Sequence, residues 1–305
     1  MTTTARLANT LIFVSLFTLA TQNNQARAAL VAHWTFDEGA GTTANDTSGS
    51  ANVHNGTLSS QGTGSNPVWL NSSSAAIGGA LQFTAATTTD GSLVNIPHHA
   101  DLNLTNSAFT LSYWYRNDGD AAPGGFPGMF RKGSGSADGW IIFRSNSSDA
   151  LTFKSRNIQP PGFGGVGSDT WHLLTIAYDG GTNTEYYNDG VNVNTAATNW
   201  GATLANTAIL EIGRADSFDT FSMDDAAIWN QQVTAAEATA LYNMGSVLGL
   251  NAADFDGARQ AHSTSGTVVA SGSKWGFISG LTGFSDGDVV AGDGYYLVVF
   301  DGTAG

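Results

Sequence analysis

Cysteine is absent from the 305 residues, which excludes disulfides, thiolate metal ligands and a cysteine nucleophile. Positive charge is scarce: Lys and Arg total 11 against 25 Asp and Glu, for a formal net charge of −14. Such a surface repels phosphate backbones and argues against nucleic acid as a partner. The same field attracts cations. Glutamate is rare too, at Glu38, Glu185, Glu211 and Glu237. The acids are therefore mostly aspartates, and short carboxylates in loops suit calcium.

Long apolar runs are missing beyond the first 30 residues. There, "MTTTARLANTLIFVSLFTLATQNNQARAAL" sets Arg6 before an apolar stretch over 11–20 and ends on the small-x-small triplet Ala26-Arg27-Ala28. That order is expected of a secretory signal peptide at 1–28, cleaved before Ala29. The apolar stretch is shorter than the roughly 20 residues a spanning helix needs. The expectation is a secreted, extracellular or cell-surface product with no membrane span in the mature chain.

What is present is a series of short strands separated by small polar residues and 38 glycines. Phe109–Arg116 alternates Phe, Leu, Tyr, Tyr with Thr, Ser, Trp, Arg, a period of two. Trp171–Asp179, Ala208–Ala215, "ALQFTA" and "SLVNIP" read as further strands, and Asn188-Asp189-Gly190 as the turn of a hairpin. One helix is expected: Thr234-x-x-Glu237 forms a capping box and Gly245 stands at the anticipated end. Many strands and one late helix predict an all-β sandwich or jelly roll over 29–245. A β-rich extension follows at 246–305, through "GTVVASG", "KWGFISGL" and "GYYLVVFDG".

A further set of fragments recurs in order: Trp34-x-Phe36-Asp37-Glu38-Gly39-x-Gly41, Asp46-x-Ser48-Gly49, Gly79-Ala80-Leu81-x-Phe83, Phe109–Trp114, Tyr187-x-Asp189-Gly190, Ile212-Gly213-Arg214 and Phe221-x-x-Asp224-Asp225-Ala226-x-Ile228-Trp229. Together they resemble a laminin-G-like jelly roll of the concanavalin A-like lectin/glucanase superfamily, of the bacterial secreted type. The resemblance implies that the first and last strands lie side by side and that a structural calcium bridges them. Asp37 and Asp224 are its implied ligands, with Asp46 in the loop after the first strand as another. Asp225 is a weaker candidate, since on a regular strand it faces away from Asp224. Without a metal, the same acids would cap turns.

Glucanase chemistry needs two carboxylates about 5–5.5 Å apart, set in laminarinase-type relatives as Glu-x-Asp-x-Glu. None of the four glutamates lies in that pattern, so no catalytic residue is assigned. "GFSDG" (Gly283–Gly287) matches G-x-S-x-G but is followed by a β-like run instead of a helix. "ADFDGARQ" starts like a calcium loop and lacks the closing glutamate. The six histidines are scattered without helical spacing, which gives zinc little support, and His98-His99 reads as a solvated loop. Ligand-contact candidates are Phe126 and Phe163 in Pro/Gly loops, and Trp140 and Trp200, whose indoles either stack on sugar or pack in the core. Three readings follow: a lectin-like module for carbohydrate or a surface glycoconjugate, an adhesion or matrix protein with a protein partner, and an enzyme with an unrecognised site.

Overall fold

The alternating Phe109–Arg116 stretch becomes the central strand of a β-sandwich. The computed structural model describes residues 30–104, 107–119, 126–135, 137–145, 150–200, 206–248, 251–252, 289–292 and 295–298. The strands are β1 (Leu30–Trp34), β2 (Thr43–Ala44), β3 (Gly56–Gln61), β4 (Val68–Leu70), β5 (Ala80–Phe83), β6 (Gly91–Ile96), β7 (Phe109–Asn117), β8 (Gly128–Gly133), β9 (Gly139–Arg144), β10 (Leu151–Ser155), β11 (His172–Tyr178), β12 (Asn183–Asn188), β13 (Val191–Ala197), β14 (Leu210–Ile212) and β15 (Phe221–Trp229). One sheet runs β13-β12-β11-β7-β15-β5-β4, with β1 also on β15; the other runs β10-β9-β8-β14-β6-β3-β2. All the pairings within both sheets are antiparallel. Val289–Gly292 and Tyr295–Val298 form a separate two-stranded pair. Gly283–Gly287 and Asp254–Gln260 lie outside the described residues, as do residues 1–29, which include the expected signal peptide at 1–28.

Period-two alternation sorts β7 between two apolar layers. Phe109, Leu111, Tyr113 and Tyr115 join the core between the sheets, whereas Trp114 joins Leu173, Trp229 and Leu241 on the opposite face. That outer face is covered by α1 (Ala235–Asn243). The capping box starts the helix as expected: Glu237 N–H donates to Thr234 Oγ1 at 3.3 Å and Thr234 N–H to the Glu237 carboxylate at 2.7 Å. Thr234→Ala should therefore lower stability by about 1 kcal/mol in denaturant unfolding. An unchanged midpoint would show that packing alone holds the helix.

The helix end differs from expectation. The chain continues past Asn243 into a π-helical turn, Met244–Leu248, and Gly245 is no left-handed cap. A Cβ on Gly245 would sit 2.8 Å from the Trp114 ring and 2.9 Å from Ile77. The glycine serves a close approach to the sheet.

Candidate functional site

β15 changes partners along one edge. Phe221–Met223 pair with β5 and Ala226–Trp229 with β1, while β7 follows the other edge with a bulge between Asp224 and Ala227. The first and last strands of the sandwich thus lie side by side, and both central acids fall at the hand-over, where the ladder opens. Backbone strain marks the same spot: Phe36, next to Asp37, has φ 55° and Asp225 has φ 45°, left-handed values costly for residues other than glycine.

The loop before β5 clamps both carboxylates. Asp224 Oδ2 accepts from the N–H groups of Ala76 (3.1 Å) and Ile77 (2.7 Å), and Asp37 Oδ1 from that of Gly79 (2.5 Å). Gly78 must be glycine here, since a Cβ would lie 2.2 Å from Asp37 Oδ1. Asp224 is fully buried, and its Oδ1 has no hydrogen-bond partner. Burial first, then the charges of Asp225 and Asp37, push its carboxyl well above the usual range. An orphaned buried oxygen beside a second carboxylate is a donor set that a hard divalent cation fits.

The other two acids have different tasks. Asp46 accepts from the N–H groups of His33 and Ser48 through Oδ1 and of His54 through Oδ2, so it organises its loop. Asp225 is turned by the bulge to the His33 ring and to the N–H of Ala252. The regular strand assumed for its orientation is not present.

Of the four aromatic candidates, Trp140 and Trp200 take the core-packing alternative and Phe163 is buried as well. Trp140 and Trp200 are completely buried, with their indole N–H groups satisfied by the Leu102 carbonyl (3.1 Å) and the Thr184 hydroxyl (2.9 Å). Phe163 is buried edge-to-face on Tyr186. None of the three is placed to meet a ligand. Phe126 is 40% exposed, with Lys154 over its ring.

Two concavities stand out among the described residues. A shallow groove of about 380 Å³ lies between Ile158–Pro161 and Asn194–Thr198. A deeper cleft of about 410 Å³ opens at the end of the sandwich where β1 and β7 begin and β15 ends. Asp101, Asn103, Asn230, Ser50 and Ser107 bring a carboxylate, amides and hydroxyls to its wall, beside Trp229 and Phe109. Sequence reading missed it because these residues come from four separated segments with no motif among them.

Residues 88–239 match the Laminin_G_3 model, described as the concanavalin A-like lectin/glucanases superfamily. Among curated proteins there is no sequence match. Among solved structures, the binding domain of botulinum neurotoxin DC, in complex with rat synaptotagmin II, is 16% identical (TM-score 0.52; 72% of this chain, 52% of that one). Domain 4 of AbnA, an extracellular arabinanase from Geobacillus stearothermophilus in complex with arabinotriose, is 17% identical (TM-score 0.52; 70% of this chain, 98% of that one). The binding domain of Paraclostridial Mosquitocidal Protein 1 is 16% identical (TM-score 0.52; 70% of this chain, 52% of that one). The chain thus spans about half the length of the toxin binding domains it matches.

Proposed function

We propose that this chain, which belongs over residues 88–239 to the concanavalin A-like lectin/glucanases superfamily, is a secreted, non-catalytic, lectin-like module for neutral carbohydrate, with a structural calcium at Asp37 and Asp224. The observation that carries the reading is the cleft lined by Asp101, Asn103 and Asn230. Sugar recognition needs planar carboxylate and amide groups to meet pairs of hydroxyls, and an apolar wall for the C–H face. The cleft supplies the polar groups, with apolar residues such as Leu30 and Ala100 reaching its surface, and its volume lies in the roughly 300–1,000 Å³ range of small-ligand sites. AbnA domain 4, aligned over nearly its whole length, holds an arabinotriose, which makes arabino-oligosaccharides the first probes.

Calcium would act on the fold. Bound by Asp37 and Asp224, it would satisfy the orphaned oxygen and tie β1 and the loop before β5 to β15 in the folded state alone. No helix among the described residues is long and apolar enough to cross a membrane.

Calorimetric titration of the chain with arabinotriose and other neutral oligosaccharides tests the cleft. Asn230 is exposed, so Asn230→Ala should weaken binding about tenfold, the effect of about 1.4 kcal/mol, at an unchanged melting temperature. Undiminished binding by that variant would move the site elsewhere, the groove at Gln159–Pro161 being the next to test.

A further inference from the structure

We propose that His54, His99 and Asp101 form a second metal site, for a divalent transition-metal ion of the zinc type. One ligand atom from each of the three side chains lies within 4.8 Å of the others, and no other trio of His, Asp or Glu does so among the described residues. Asp101 stands between the two imidazoles. Its Oδ2 is 3.2 Å from His54 Nε2 and its Oδ1 is 2.7 Å from His99 Nδ1.

The second of these contacts is the closer one. His99 Nδ1 accepts from the backbone N–H of Asp101 at 3.5 Å, capping the 3-10 turn Ala100–Leu102. A ring nitrogen used as an acceptor presents a lone pair, and it faces a carboxylate oxygen. Asp101 Oδ1 is buried, with the His99 ring nitrogen against it. A proton on that nitrogen, as in the neutral Nδ1–H tautomer, makes the contact a hydrogen bond, and a metal ion held in common would take that proton's place.

Sheet register brings the histidines together. β3 pairs with β6 so that Thr57 faces Asn95, and extending that antiparallel register past both strand ends sets residue 54 beside residues 98 and 99. Core indoles then fix the segments. The Trp34 N–H donates to the His54 carbonyl at 2.7 Å, and the Trp140 N–H to the Leu102 carbonyl at 3.1 Å. The Asn52 amide adds a bond to Asp101 Oδ2 at 3.1 Å, the kind of outer contact that orients a ligating carboxylate. Lys132, the ammonium whose charge acts with Asp101, is tied to His98 Nδ1 (2.9 Å) and to the Ala208 carbonyl (2.6 Å).

Two imidazole nitrogens and one carboxylate oxygen suit zinc and its neighbours, whereas calcium takes oxygen donors. Around tetrahedral zinc, donor atoms about 2.0–2.2 Å from the metal stand about 3.3–3.6 Å from one another. Metal binding would move His99 Nδ1 and Asp101 Oδ1 apart from 2.7 Å toward that spacing. The His99 side chain is 44% exposed, which gives a route for entry and room for water at the fourth position. Asp101 also lines the cleft, so the ion would sit at its rim.

The test uses metal alone and is independent of any sugar. The full chain, stripped with chelator, is titrated with zinc against a chromophoric chelator, and with cobalt(II) for its visible spectrum. The expected result is one zinc equivalent that Asp37→Ala leaves in place, that excess calcium does not displace, and an intense tetrahedral cobalt spectrum. His99→Ala, at an exposed position, and Asp101→Asn should each cut zinc affinity at least tenfold while keeping the melting temperature. Absence of zinc uptake, uptake unchanged in His99→Ala, or a weak octahedral cobalt spectrum would overturn the site and leave His99 hydrogen-bonded to Asp101.

Discussion

Asp219→Ala is expected to cost about 3–5 kcal/mol of stability, the typical penalty for leaving a buried charge without its partner. Arg144, at the end of β9, and Asp219, just before β15, are both buried and meet in two parallel bonds, Nε to Oδ2 at 2.8 Å and NH2 to Oδ1 at 2.5 Å. Asp219 Oδ1 also accepts the N–H of Thr220. The pair fixes the segment that leads β14 of one sheet into β15 of the other, and so helps to set where β15 enters. Removing the carboxylate takes two charge-assisted bonds from a buried guanidinium. The loss is large against the 5–15 kcal/mol that stabilises a typical domain. Arg144→Met combined with Asp219→Leu should recover much of it, because well-packed apolar residues can replace a buried pair. Urea unfolding of the two variants checks this, and a loss below about 1 kcal/mol for Asp219→Ala would contradict it.

The second large effect is a reversal of pH dependence on adding calcium. Asp224 binds its proton more tightly in the folded chain than in the unfolded one, because burial and the charges of Asp225 and Asp37 raise its carboxyl. Without a cation, its contribution is present below the ordinary carboxylate range and is lost as pH rises through the raised value. Calcium holds the ionised form, so with the ion present stability should rise with pH across the same window. At calcium a hundredfold above its Kd the gain is about 2.7 kcal/mol. Asp224→Asn and Asp37→Ala should each abolish that gain, and Asp224→Asn should also flatten the slope in chelator. Identical melting profiles in calcium and chelator for the unaltered chain would remove the ion from this junction.

Much of the fold was legible because local signals and strand pairing agree. Phe109–Arg116, Asn188-Asp189-Gly190 and Thr234-x-x-Glu237 each became the strand, turn and helix start that their patterns imply. Gly245 misled because a glycine after a helix reads as a cap, whereas here a Trp114 ring leaves no room for a side chain. Phe163 misled for a related reason: loop composition does not reveal which face of a sandwich an aromatic enters, and for Trp140 and Trp200 the same ambiguity left ligand contact and core packing both open. The acidic junction was anticipated only through the order of family-like fragments, and the bulge that turns Asp225 to His33 has no sequence signature. His54 and His99 were hidden most fully. They belong to loops at the ends of two strands and meet by register alone, where no helical spacing could announce them.

The proposed role of the chain as a carbohydrate-binding module is tested most directly by presenting the intact protein to a panel of neutral glycans and measuring binding to each hit by calorimetry, with the Asn230→Ala variant alongside. Saturable binding to at least one neutral oligosaccharide is expected, falling about tenfold in the variant at an unchanged melting temperature. Failure to bind any glycan, with a protein ligand captured instead on the same folded chain, would contradict it.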